Sequence, residues 1–113
     1  MADCLFCQIR DGAIPANKVF EDDRAIAFRD LNPQAPTHVL IVPKKHIASL
    51  ETLTEDDAAL VGHLHLVAQK LARDEGLADG WRVVFNTGRQ AGQTVFHIHL
   101  HLLGGRALGW PPG

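Results

Sequence analysis

Three histidines alternate with aliphatic residues near the end of the chain, in Phe96-His97-Ile98-His99-Leu100-His101-Leu102-Leu103. Successive side chains of an extended strand point to opposite faces, so this spacing places His97, His99 and His101 on one face. Phe96, Ile98, Leu100 and Leu102 then occupy the other and anchor the strand to a core. Neighbouring imidazoles in such a row stand roughly 6.5–7 Å apart, and the row spans about 13 Å, enough for a phosphate and its two flanking groups. Three explanations suit the row. It is a chance alternation of polar groups on a half-exposed strand, or it supplies two ligands to a metal, or it attacks phosphorus. In the last case a neutral imidazole forms a covalent phospho-imidazole while its neighbours hydrogen-bond the phosphoryl oxygens and the leaving group. The ordinary histidine pKa of about 6.5 makes both the neutral nucleophile and the protonated donor accessible near neutral pH.

The flanking residues favour phosphorus. Gly88, Gly92 and the pair Gln93-Thr94 stand immediately before the row. Glycines let a loop approach a phosphate closely and turn backbone N–H groups toward its oxygens. Thr94 adds a hydroxyl donor beside the proposed nucleophile, and Asn86 faces the same place from the end of the preceding strand.

The elements that must hold these residues are readable from hydrophobic pattern. Asp3 to Arg10 suits a short helix with Leu5, Phe6 and Ile9 on one side and Gly12 as its stop. Lys18–Glu21 and Arg24–Asp30 read as strands around an Asp22-Asp23 turn. Residues 31–36, with Pro33 and Pro36, form a loop. The run His38–Val42, closed by Pro43, suits a strand covered on both faces. A long helix is predicted from about Thr54 to Glu75, with Thr54 as N-cap, acidic residues 55–57 at the positive end of the dipole and Gly76 as the stop. Its apolar stripe is Leu60, Leu64, Val67, Ala68 and Leu71, and His63 and His65 lie off it as surface or boundary residues. Trp81–Asn86 and Val95–Leu103 pair as a second hairpin. Hairpin strands plus one long helix indicate an α+β fold with an antiparallel sheet.

The chain has 113 residues, of which 46% are hydrophobic and 21% charged. That length suits one domain spanning residues 1–113, large enough to bury a core without disulfides. Eleven Lys and Arg against 13 Asp and Glu give a formal charge of -2, which argues against a nucleic acid polymer as partner but not against a single nucleotide. No aliphatic run approaches the roughly 20 residues of a membrane span, and the start shows no secretory signal. The expectation is a soluble cytoplasmic domain.

The combined motifs resemble the histidine-triad (HIT) family, whose signature stands here as His97-Ile98-His99-Leu100-His101-Leu102-Leu103. The resemblance covers nearly the whole chain. It is strongest to the Hint branch of nucleoside phosphoramidases, through Gln34-Ala35-Pro36-Thr37-His38, Val42-Pro43-Lys44-Lys45-His46-Ile47, Gly92-Gln93 and Gly104-Gly105-Arg106 with the ending Trp110-Pro111-Pro112-Gly113. It implies a sheet of about five strands with one long and one short N-terminal helix, two sheets being joined in a homodimer. It also implies that His99 attacks the α-phosphorus of a purine nucleoside phosphoramidate, such as an AMP-amine or lysyl-AMP. The resulting nucleotidyl-histidine is then hydrolysed to release AMP or GMP. His97 and His38 correspond to a relay that orients His99, and His101 and Thr94 to contacts with the phosphate and leaving amine. Asp30 matches the residue that holds the ribose hydroxyls. Leu31, Phe28, Phe6 and Ile9 match a base cleft, though Phe28, Phe6 and Ile9 equally suit ordinary core. Asn86, Gly92 and Gln93 match the phosphate loop. Trp110, on the tail, is implied to reach the partner's site. The nucleotidyltransferase relatives carry Gln at the third triad position, so His101 speaks for hydrolysis. A dinucleoside polyphosphate hydrolase is the enzymatic alternative, and a nucleotide-binding or interaction module without chemistry is the alternative of another class.

Cys4-Leu5-Phe6-Cys7 is the single Cys-x-x-Cys. That spacing suits a metal half-site or a redox pair, and zinc requires two further ligands. In some HIT relatives such a pair joins a histidine after the Pro-Lys segment and the first triad histidine, which correspond to His46 and His97. The resemblance therefore implies a structural zinc on Cys4, Cys7, His46 and His97, not required for the chemistry.

Overall fold

The computed structural model describes residues 4–113, so Asp3, placed at the start of the first helix from sequence, lies outside the described residues. Helix α1 (Leu5–Arg10) is followed by strands β1 (Lys18–Glu21), β2 (Ala25–Arg29) and β3 (Thr37–Pro43), helix α2 (Ala58–Asp74), and strands β4 (Trp81–Val84) and β5 (Leu100–Gly104). The five strands form one antiparallel sheet in the order β1-β2-β3-β5-β4. This is the expected α+β architecture, an antiparallel sheet with one long and one short helix.

The period-2 alternation of β2 and β3 explains how one sheet carries two cores. Ala25, Ala27, Val39 and Ile41 face α2, where they meet Leu64, Val67, Ala68 and Leu71 together with Leu100 and Leu102 of β5. Ile26, Phe28, Leu40 and Val42 point the other way and pack against Phe6 and Ile9 of α1. β3 is buried along its whole length, as expected of an aliphatic run covered on both sides. On β5 the same alternation sends Leu100 and Leu102 to the α2 side, so His101 emerges on the α1 side opposite Leu40.

Local polar contacts set the element ends. The β1–β2 turn works without glycine because Asp22 Oδ1 accepts from the backbone N–H groups of both Arg24 and Ala25 at 2.8 Å. Thr54 does not cap α2 directly; it caps a 3-10 turn at Glu55–Asp57 that leads into the helix, its backbone N–H donating to Asp57 Oδ2 at 3.0 Å. Past the far end of α2, Glu75 accepts two hydrogen bonds from the Arg29 guanidinium at 2.8 and 3.1 Å, which tethers the strand end leading to Asp30. His63 joins α2 to the β1–β2 turn through Asp22 at 2.7 Å, and His65 is exposed.

The last strand differs most from the sequence reading. β5 begins at Leu100 rather than Val95. The backbone N–H of Ile98 donates to Ile47 O at 2.8 Å, outside the sheet, and draws residues before Leu100 away from the ladder. Ile98 is still buried against α2, but Phe96 is 42% exposed and belongs to neither buried cluster. β4 likewise ends at Val84 rather than Asn86. Among the described residues no helix is long and apolar enough to cross a membrane.

Candidate active site and metal cluster

A cavity of about 290 Å³ opens on the α1 side of the sheet. Phe6 and Ile9 of α1 and Phe28 of β2 form an apolar wall, continued by Leu31, which is almost wholly exposed at the rim. Asp30, Asn86, Gly92 and Thr94 supply its polar lining, with His99 and His101 at the back. These ten residues were all expected around a nucleotide. Two others behave differently. Gln93 does not line the cavity: its buried side chain accepts from Gly88 N at 2.9 Å and donates to Ala48 O at 2.8 Å, tying down the glycine loop. Trp110 is 83% exposed on the tail, away from this cavity. The wall also includes Ile14, Pro15, Ala16 and Asn17 from the connector before β1, which carry no motif and whose only sequence signal is a short apolar run beside a proline.

The imidazoles do not form a simple row. His99 and His101 are neighbours, ring centroids 4.9 Å apart, but His97 turns its ring away toward the cysteines. Main-chain partners fix which nitrogen of each ring carries the proton. His99 Nδ1 lies 2.9 Å from His97 O; a carbonyl only accepts, so Nδ1 holds the hydrogen and Nε2 keeps its lone pair. The backbone N–H of Gln34 donates to His38 Nδ1 at 3.0 Å, so His38 carries its hydrogen on Nε2. That hydrogen points at His101 Nδ1, 2.9 Å away, with Asp30 Oδ2 at 3.4 Å. His101 must then bear its own hydrogen on Nε2, a buried atom with no hydrogen-bond partner among the described residues. His38 thus acts on His101, not on His99 as expected; the support His97 gives to His99 comes through its carbonyl.

Burial pushes all these rings below the ordinary histidine value. His97 and His101 are each lowered to about 4, chiefly by desolvation. His38 and His99 are lowered for the same reason, with the Asp30 carboxylate opposing the shift. The triad rests neutral, as a nucleophile requires.

Behind Phe6 lies the second cluster. The donor atoms of Cys4, Cys7, His46 and His97 all fall within 4.8 Å of one another. His97 Nδ1 is 3.3 Å from Cys4 Sγ, 3.5 Å from Cys7 Sγ and 3.2 Å from His46 Nδ1, and Cys7 Sγ is 3.4 Å from His46 Nδ1. Tetrahedral zinc with bonds of about 2.3 Å to sulfur and 2.05 Å to nitrogen would place N and S about 3.5 Å apart and two N atoms about 3.3 Å apart. The edges agree. His97 Nε2 donates to Pro43 O at 2.8 Å, so its Nδ1 lone pair faces the thiols, the arrangement a metal-binding imidazole needs. The donors fit a zinc ion. Asp30, His38 and His101 also lie close together, but the Gln34 N–H on His38 Nδ1 leaves a hydrogen on Nε2, the nitrogen that faces Asp30 and His101, so that trio is a hydrogen-bond chain.

A larger depression of about 720 Å³ lies between the end of α2, the start of β4 and residues 105–108. Its lining contains no imidazole or thiol, and Arg82 and Arg106 donate to the main-chain carbonyls of Gly109, Ala107 and Gln34. His99 and His101 line the smaller cavity.

The sequence model of the HIT domain matches residues 11–108 of the chain. The chain belongs to the HIT domain family. An uncharacterized HIT-like protein of Synechocystis sp. is 53% identical over 111 residues, 98% of this chain and 97% of that one. Among solved structures, a HIT family hydrolase from Legionella pneumophila superposes with a TM-score of 0.97 at 56% identity, covering 98% of this chain and 100% of that chain. A histidine triad protein from Clostridium difficile gives a TM-score of 0.93 at 47% identity, covering 96% of each chain.

The depressed imidazoles make a pH prediction. Between about pH 6.5 and pH 4 the unfolded chain binds protons that the folded chain's buried rings do not, so stability is full above that window and falls on acidification through it. Guanidinium unfolding midpoints should be lower at pH 5 than at pH 7.5, with a smaller difference in His101→Asn. Equal midpoints would contradict the burial-driven shifts.

Proposed function

We propose that this HIT protein is a hydrolase of purine nucleoside 5′-phosphoramidates, acting through a nucleotidyl-histidine. The observation that carries the reading is the pairing of the His99 Nε2 lone pair with the orphaned Nε2–H of His101 at the back of one cavity. A buried donor without an acceptor costs about 1–3 kcal/mol, and a phosphoryl oxygen or leaving amine would satisfy it. The apolar wall of Phe6, Ile9, Phe28 and Leu31 suits a base, and Asp30 suits ribose hydroxyls. A cavity near 290 Å³ has room for one mononucleotide. The Legionella relative's description as a hydrolase points to the same reaction class.

In this reading His99 Nε2 bonds to the α-phosphorus as the P–N bond breaks, and the amine departs with a proton taken from solvent, which the hydrolytic water later returns. The positive charge that develops on His99 is held by His97 O through Nδ1–H, which also prevents the ring from flipping to the unreactive tautomer. Thr94, which lines the cavity, would donate its hydroxyl to a phosphoryl oxygen, whereas the N–H groups of Gly88, Ala91 and Gly92 are used inside their own loop. Water then attacks phosphorus, releases AMP and restores neutral His99.

Zinc on Cys4, Cys7, His46 and His97 would act structurally, pinning α1 to the segment after β3 and to the triad. A homodimer would join two sheets through β4, one of the two edge strands, beside the exposed Trp81 and Leu66, and bring Trp110 to the partner's cavity.

Incubation with adenosine 5′-phosphoramidate should release AMP, and His99→Ala should lower turnover at least about 10³-fold while AMP binding persists. Retained turnover would assign the wrong nucleophile; faster cleavage of a P–O–P dinucleotide than of the phosphoramidate would assign the wrong substrate. Untagged protein grown with ample metal should carry about one zinc per chain, and clearly substoichiometric zinc would contradict the cluster's assignment.

A further inference from the structure

The first turn of α1 serves two sites at once. Its cysteines belong to the thiol–imidazole cluster, whereas Phe6 between them and Ile9 beyond them are walls of the cavity. Phe6 stands edge-on to His99, ring centroids 4.9 Å apart, and to Phe28 at 5.5 Å. The two sulfurs touch Nδ1 of His97 at 3.3 and 3.5 Å, and the carbonyl of that same residue fixes the His99 proton at 2.9 Å. Whatever moves the sulfurs therefore acts on His99 along two routes, the Phe6 ring and the His97 backbone.

We propose that Cys4 and Cys7 form a reversible thiol–disulfide switch that weakens nucleotide binding in the neighbouring cavity when oxidised by a peroxide. The proposal rests on the nucleotide reading of that cavity. Cys4 is half-exposed and Cys7 buried, which divides the roles. Cys4 meets the oxidant, and Cys7, whose backbone N–H already donates to Cys4 Sγ at 3.3 Å, resolves it. The first step converts Cys4–SH and hydrogen peroxide to Cys4–SOH and water in the metal-free chain, or the Cys4 thiolate to Cys4–SOH and hydroxide where zinc is held, breaking the O–O bond. The second joins Cys4–SOH and Cys7–SH as a disulfide with loss of another water. Two thiols are oxidised by two electrons and one peroxide is reduced.

The two sulfurs lie within 4.8 Å and must close to about 2.05 Å. That closure takes them out of contact with the His46 and His97 imidazoles, and a disulfide no longer offers the thiolates that hold a metal. Phe6 lies inside the four-residue loop so formed, and its ring must shift against His99.

The full chain should be compared reduced and after stoichiometric hydrogen peroxide, with AMP as probe. We expect the intact mass to fall by about 2 Da, the size of one disulfide, with the linkage mapped to Cys4–Cys7. The AMP Kd should rise about tenfold or more, reversed by dithiothreitol, and Cys4→Ser should show no peroxide dependence relative to its own untreated value. If that variant fails to fold, the mapped wild-type disulfide and its Kd still decide. A mapped disulfide with unchanged AMP affinity, or peroxide oxidation without a Cys4–Cys7 bond, would overturn the switch alone. Reduced protein that binds no AMP would overturn the nucleotide reading and the switch with it.

Discussion

A peptide carbonyl accepts hydrogen bonds and a peptide N–H donates them, and this asymmetry governs the site. The carbonyl of His97 forces the proton of His99 onto Nδ1, and the N–H of Gln34 forces that of His38 onto Nε2. From these two contacts follow an unprotonated Nε2 on His99 and a buried Nε2–H on His101, one ring away. Neither depends on a charged side chain. Because burial keeps the rings neutral, their roles are set by orientation rather than by which of them is ionised.

The fold delivers these contacts through its sheet. β3 lies between β2 and β5 and is buried on both faces, so it is a fixed reference for both the α2 core and the α1 wall. His38 sits near its start and Pro43 at its end. The first orients His101 and the second holds His97 through its carbonyl. One strand thereby supports the His99–His101 pair at one end and the cysteine cluster at the other. The segment that follows β3 supplies His46, Ile47 and Ala48, whose ring and carbonyls meet His97, Ile98 and Gln93.

Much of this was legible in the chain. The alternating apolar residues of β2 and β3 and the stripe Leu64, Val67, Ala68 and Leu71 followed from periodicity, because burial of a face is a local pattern. The Asp-rich start and Gly76 bracketed α2 to within a few residues. The end of the sheet was less legible. Residues 95–99 have a strand's composition, yet Ile98 bonds to Ile47, 51 positions earlier in the sequence, and no local pattern encodes a partner so distant. The direction in which His97 turns was hidden for the same reason. Its spacing matched a row with His99 and His101, while its true neighbours come from α1 and from the segment after β3. The family resemblance supplied His46 as a companion of the cysteines, which spacing alone did not. The connector Ile14–Asn17 escaped notice because it lines the cavity by position and carries no motif chemistry.

The most direct test of this account is a crystal structure of the protein with AMP. The account predicts phosphorus in front of His99 Nε2, with a phosphoryl oxygen at roughly 2.7–3.1 Å from His101 Nε2. A nucleotide bound elsewhere, or a His99 ring presenting Nδ1 to the phosphate, would contradict it.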